Sequence, residues 1–135
     1  MADDRRHARR YGVRGSSVRY KKSTILGFLN RPTDRYLIVN LSETGAEFLS
    51  RQPVQTGQVL DLEISIPGLD SPLKPGGKIV WCTRAPNVDA FRLGVEFNRI
   101  SESERQTLRS VLADAVLDEV PITTRIEIPD AEAQV

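Results

Sequence analysis

Val59-Leu60-Asp61-Leu62-Glu63-Ile64-Ser65-Ile66 decides what kind of fold this chain can form. Leu60, Leu62, Ile64 and Ile66 fall on one face, and Asp61, Glu63 and Ser65 fall on the other. That period of two belongs to a strand with one side buried. Upstream, Tyr36 to Leu41 is rich in β-formers, and Gly45 opens a return through Ala46 to Leu49. Val13 to Tyr20 reads as a first strand, separated from the next by a long connection, Lys21 to Arg35, that contains Gly27, Asn30 and Pro32. Downstream, residues 67–77 hold three prolines and three glycines and read as irregular chain. Lys78 to Arg84 and Phe91 to Phe97 then form a hairpin around Ala85 to Ala90, with Phe91, Leu93, Val95 and Phe97 on one face and Arg92, Gly94 and Glu96 on the other.

The pattern changes after Ser101. Ser101 with Glu104 makes a capping box, and Leu108, Val111, Leu112, Ala115 and Val116 recur at helical spacing. Pro121 ends any continuation. About six short strands and one late helix predict an all-β fold with one helix: a six-stranded antiparallel β-barrel whose C-terminal helix covers one opening. A chain of 135 residues has room for one such core plus short arms. Residues 1–12 are expected to be a flexible basic arm, 13–117 the barrel with its helix, and 118–135 an acidic tail.

The formal net charge is only +1, so bulk charge selects no partner. Its distribution does more: residues 1–22 hold eight Lys/Arg against two Asp, and residues 118–135 hold five acids against one Arg. A basic head attracts anions. The N-terminus has no signal-peptide pattern, no apolar run reaches membrane-spanning length, and Cys82 is the single cysteine, which together predict a cytoplasmic protein with no membrane insertion. Catalytic machinery is not in evidence. His7 is the only histidine, no Cys/His metal spacing exists, and Gly76-Gly77 lacks a phosphate-loop pattern, so no enzyme, metal or cofactor is expected.

Two stretches remain: Arg5-Arg6-His7-Ala8-Arg9, and Asn40-Leu41-Ser42-Glu43-Thr44-Gly45. Together they resemble the RxxxR and (D/N)xSxxG motifs of the PilZ family, in that order and separated by a strand and a loop. The frame behind them is similar to the family pattern as well: Lys78-Ile79-Val80-Trp81, then Leu93-Gly94-Val95-Glu96-Phe97, then a helix, so that the resemblance covers roughly residues 4–117. It implies a bacterial PilZ-like barrel whose ligand is the second messenger cyclic di-GMP. By resemblance, Arg5 and Arg9 are ligand residues with Arg6 between them, and Asn40, Ser42 and Gly45 complete the site. Arg6 and Arg10 share the same spacing, which leaves a one-residue shift open.

Arginine suits such a ligand physically. Its planar fork donates two parallel hydrogen bonds to the O6/N7 edge of guanine or to phosphate, and its flat face stacks on purines. If Leu37, Val39 and Leu41 fill the core, Asn40 and Ser42 share the outward face, and Gly45 supplies a positive φ or a close backbone approach. Trp81 has two readings: an outward indole on which a base stacks, if Val80 and Cys82 face inward, or a core residue. The expected function is a cyclic di-GMP receptor or adaptor that changes its N-terminal arm and surface to signal to an unidentified protein partner. A PilZ-like protein-interaction scaffold with little nucleotide affinity is the first alternative. A small basic-armed barrel binding RNA or DNA is the second, against which the near-neutral charge and the lack of an aromatic platform count.

Overall fold

The alternation in Val59–Ser65 places Leu60, Leu62 and Ile64 in the interior, as a strand with one apolar face requires. The computed structural model describes residues 10–24 and 31–118, with side chains to residue 115. Within them the strands are β1 (Ser17–Lys22), β2 (Tyr36–Leu41), β3 (Gly45–Ser50), β4 (Val59–Ser65), β5 (Gly76–Arg84) and β6 (Phe91–Arg99), followed by helix α1 (Glu102–Asp118). All pairings are antiparallel, and the sheet closes in the order β1-β2-β3-β6-β5-β4. Closure gives each of the six strands a partner on both sides. Val18, Tyr20, Ile38, Leu41, Phe48, Leu60, Leu62, Ile64, Ile79, Leu93 and Val95 fill the interior. The Tyr20 hydroxyl meets the Ser50 hydroxyl at 2.8 Å inside the barrel, so the buried phenol keeps a partner.

The helix begins as the capping box predicts. The Ser101 hydroxyl accepts from the Glu104 amide at 3.1 Å, and Glu104 Oε1 accepts from the Ser101 amide at 3.3 Å. Leu108 and Leu112 join the barrel core; Val111 and Ala115 are half-buried, and the side chain of Val116 and all of Pro121 lie outside the described residues. β1 runs antiparallel to both β2 and β4, so the ends of β2 and β4 share one rim. Two contacts tie α1 to the barrel: Arg109 Nε donates to Glu43 at 2.9 Å, and the Lys74 amide donates to Glu104 at 2.6 Å.

Three expectations need correction. The first strand starts at Ser17, not Val13, because Gly15 takes a φ of 79° and Ser16 turns back to donate twice to the Val13 carbonyl. The stretch 67–77 is less irregular than its composition suggests, since Leu73 bridges Ile64 and β5 begins at Gly76. The third concerns β2. Ile38 pairs with Phe48 and Asn40 with Glu47, so Val39 is one residue too many. This bulge brings both Ile38 and Leu41 inward, although they are three positions apart, and leaves Leu37 58% exposed and Val39 half-buried. A matching shift in β5 makes Val80 the extra residue between the pairs Ile79–Val95 and Trp81–Gly94.

Candidate functional site

The two bulges flank one stretch of outer wall. Asn40 pairs with Glu47, Glu47 with Gly94, and Gly94 with Trp81, which makes a single row across β2, β3, β6 and β5. In β3, Ala46, Phe48 and Ser50 are buried on the inside, so Glu47 must point outward. It is nonetheless only 4% exposed, because its neighbours cover it.

Those neighbours are polar. Arg92, two residues before Gly94 in β6, donates from Nε at 2.6 Å to Glu47 Oε2, and its Nη2 contacts the same oxygen. Oε1 accepts from Asn40 Nδ2 at 3.0 Å, with Arg10 Nη1 at 3.8 Å. Glu47 therefore has an amide and two guanidinium groups around one carboxylate. Asn40 Oδ1 is buried and has no hydrogen-bond partner among the described residues. The other described atom of this kind, Arg19 Nε, belongs to a guanidinium already paired with Glu63 at 3.1 Å. Buried acceptors without a donor are rare enough to demand a reason.

Trp81 is half-buried on this outer wall and does not belong to the core, so the core reading is corrected: the bulge gives the inward position to Ile79. Its indole lies over Gly94, where a Cβ would come within 2.8 Å of the indole Cζ2 and closer still to Nε1 and Cε2. Gly94 thus provides the floor on which the indole lies.

The chain reaches this wall through Tyr11. Tyr11 and Leu41 exchange backbone hydrogen bonds, each 2.8 Å, which sets Arg10 beside Asn40 and Glu47. The expected arm, 1–12, is accordingly tied to the barrel at Tyr11. Arg5, Arg6 and Arg9 lie outside the described residues.

Ser42 departs from expectation, and Gly45 meets the second of its two alternatives. Ser42 follows the end of β2 rather than sharing the Asn40 face, and it is 4% exposed. Its hydroxyl accepts from the amides of Thr44 and Gly45, both at 3.1 Å, and so holds the β2–β3 turn. Gly45 has no positive φ; a Cβ there would run into the Val95 carbonyl, so close approach of β3 to β6 is what demands glycine. The sequence reading missed Glu47 entirely and set Arg92 on the outward face without a role. An acid between Ala46 and Phe48, two residues past Gly45, was the available sign.

Among the described residues, no group of three or more His, Cys, Asp or Glu side chains could hold a metal ion, and no helix is long and apolar enough to cross a membrane.

Comparison with known proteins places this wall in context. The profile of the PilZ domain family matches residues 3–114. The chain is similar in structure to the Bacillus subtilis inhibitor of motility MotI/DgrA, with TM-score 0.64 and 15% identity over 85% of this chain and 53% of that one. It is similar to Escherichia coli YcgR in complex with c-di-GMP, with TM-score 0.65 and 16% identity over 84% of this chain and 47% of that one. The PilZ domain of YcgR with c-di-GMP gives TM-score 0.60 and 14% identity, over 84% of this chain and 93% of that domain. The chain thus spans about half the length of the full-length neighbours. No curated protein matches it.

Proposed function

Since this chain belongs to the PilZ domain family, we propose that it is a non-enzymatic receptor for cyclic di-GMP and that the wall bounded by the two bulges receives the nucleotide. The observation that carries the reading is the unsatisfied Asn40 Oδ1 in a cluster that also holds the Arg92 guanidinium. Guanine offers N1–H and N2–H₂ donors for that oxygen, and guanidinium groups are suited to the phosphates of the dinucleotide. The half-exposed Trp81 indole supplies a face on which a base can stack. Arg5, Arg6 and Arg9 stand one to five positions before Arg10 in sequence and would supply further forks for guanine edges and phosphates. Ser42 and Gly45 serve the site by holding the turn that follows Asn40.

On this reading the ligand links the arm to the wall, and the changed surface is what a protein partner would recognise. Calorimetric titration with cyclic di-GMP, with a single-stranded oligonucleotide as comparison, tests the proposal. Saturable binding at about micromolar or tighter, about −8 kcal/mol or better, is expected for the dinucleotide alone. No saturable heat with cyclic di-GMP would leave the protein-binding scaffold as the reading, and heat with the oligonucleotide would favour nucleic acid.

A further inference from the structure

An asparagine in a binding site is ambiguous: its amide can present either an acceptor or a pair of donors, and turning it over costs nothing intrinsic. At Asn40 the ambiguity is removed by a neighbour. A carboxylate only accepts, so the group facing Glu47 Oε1 at 3.0 Å must be the amide nitrogen. Glu47 cannot turn to release it, because Oε2 is held by two donors of Arg92 and the side chain is almost fully covered. The amide oxygen is consequently turned away from Glu47, and it is this atom that is left without a partner among the described residues.

We propose that Glu47 is the positioning residue that gives the site its preference for guanine over adenine, by locking Asn40 as an acceptor. This rests on the cyclic di-GMP reading above. The fixed oxygen complements the N1–H and N2–H₂ donors of guanine. Adenine would bring its N1 acceptor to the same edge, so acceptor would meet acceptor. Asparagine held in this way behaves toward the ligand as an aspartate would, without placing a second carboxylate against Glu47.

The test compares binding of cyclic di-GMP and cyclic di-AMP by the full chain, Glu47→Gln and the double variant Asn40→Asp/Glu47→Gln. The glutamine of the single variant can accept or donate, so the Asn40 amide is free to turn, and the preference for the guanine ligand should fall about tenfold, the worth of one hydrogen bond at a charged group. In the double variant the introduced aspartate can only accept. The neighbouring glutamine donates to one of its oxygens and the other faces the base, so the preference should return to within about threefold of the parent. Both variants lack the Glu47 charge and its pairing with Arg92, so their difference reports position 40 alone: an amide that can turn against a carboxylate that can only accept. Unchanged preference in Glu47→Gln, or a double variant no more selective than the single one, would overturn the role of Glu47 while leaving the receptor reading in place. A parent that binds neither nucleotide removes both. Should Glu47→Gln fail to fold, proton NMR of the unmodified protein saturated with cyclic di-GMP decides the matter. The Asn40 amide protons should keep their contacts with the Glu47 side chain, and transfer of those contacts to the nucleotide would contradict the proposal.

Discussion

The outer surfaces of two regions of the barrel use the same residue types to opposite ends. On the outside of β1 and β4, Glu63 is shared by Arg19 of β1 and Arg35 just before β2 at 3.1 and 3.8 Å, and Asp61 takes Arg99 from the end of β6 at 3.1 Å. These side chains are partly or largely exposed, and such pairs contribute little. Across β2, β3 and β6, a single acid is covered by two arginines and an asparagine, and one acceptor is left over. The difference lies in the backbone. β1 and β4 run in unbroken register over six pairs, so their outward side chains simply alternate into solvent. β2 and β5 each carry an extra residue, and the extra twist gathers Asn40, Glu47 and Trp81 into one row. All six strands supply core residues, and the irregular pairing gathers the row proposed as the site.

Removing a side chain from the regular half should give the largest effect. Leu62→Ala takes away a buried side chain with little room for collapse and should cost about 2–5 kcal/mol of stability in denaturant or thermal melts. A silent Leu62 would mean that the β4 register is wrong, and the contrast between the two walls would go with it.

Substitutions in the N-terminal arginine motif should separate binding from folding. Arg5→Ala and Arg9→Ala should each weaken cyclic di-GMP binding by about 1.5–3 kcal/mol while melting like the parent, since arginine is seldom a core residue. Amide exchange over residues 4–12 should slow on ligand addition. Equal affinity in both variants would confine recognition to the wall itself and shift attention to Arg10 and Arg92.

Ser42 sharpens the boundary between the two halves. Because its hydroxyl serves the turn, Ser42→Ala leaves the buried Gly45 amide without that acceptor and should cost about 1–3 kcal/mol of stability. Binding should weaken only through Asn40, which the turn follows. Loss of affinity with an unchanged melting temperature would instead make the hydroxyl a direct ligand contact.

How far the sequence could be read follows the same division. The Val59–Ser65 alternation, the Phe91–Phe97 alternation of β6, and the Ser101–Glu104 capping box were legible because each obeys a fixed period or spacing. Asn40 was correctly turned outward, but by an argument that filled the core with Leu37 and Val39, whereas Ile38 takes that place. Strict alternation cannot foresee an extra residue, and Tyr36 to Leu41 contains neither glycine nor proline to mark one. Glu47 stayed hidden for a related reason. Its importance depends on Arg92 and Asn40 arriving from two other strands, and pairing between distant segments is not written in any local pattern.

The smallest expected effect belongs to the core. Burial raises the Tyr20 pKa above its ordinary value of 10.0, with the Ser50 hydrogen bond partly opposing the shift. A raised folded-state value means stability that is complete below about pH 10 and declines as pH climbs through the folded-state value. Tyr20→Phe should abolish this alkaline loss, at a cost of about 0.5–1.5 kcal/mol near neutrality for the lost hydrogen bond to Ser50. Binding should be untouched, because Tyr20 faces the interior.

Amide and indole chemical-shift mapping on titration with cyclic di-GMP tests the central claim most directly. The account predicts that the largest shifts fall on Asn40, Glu47, Arg92, Gly94 and the Trp81 indole N–H, while Arg19, Lys21, Asp61 and Glu63 on the opposite wall stay unmoved. Shifts centred on the β1–β4 wall, or saturable binding that leaves the row from Asn40 to Trp81 unperturbed, would contradict it.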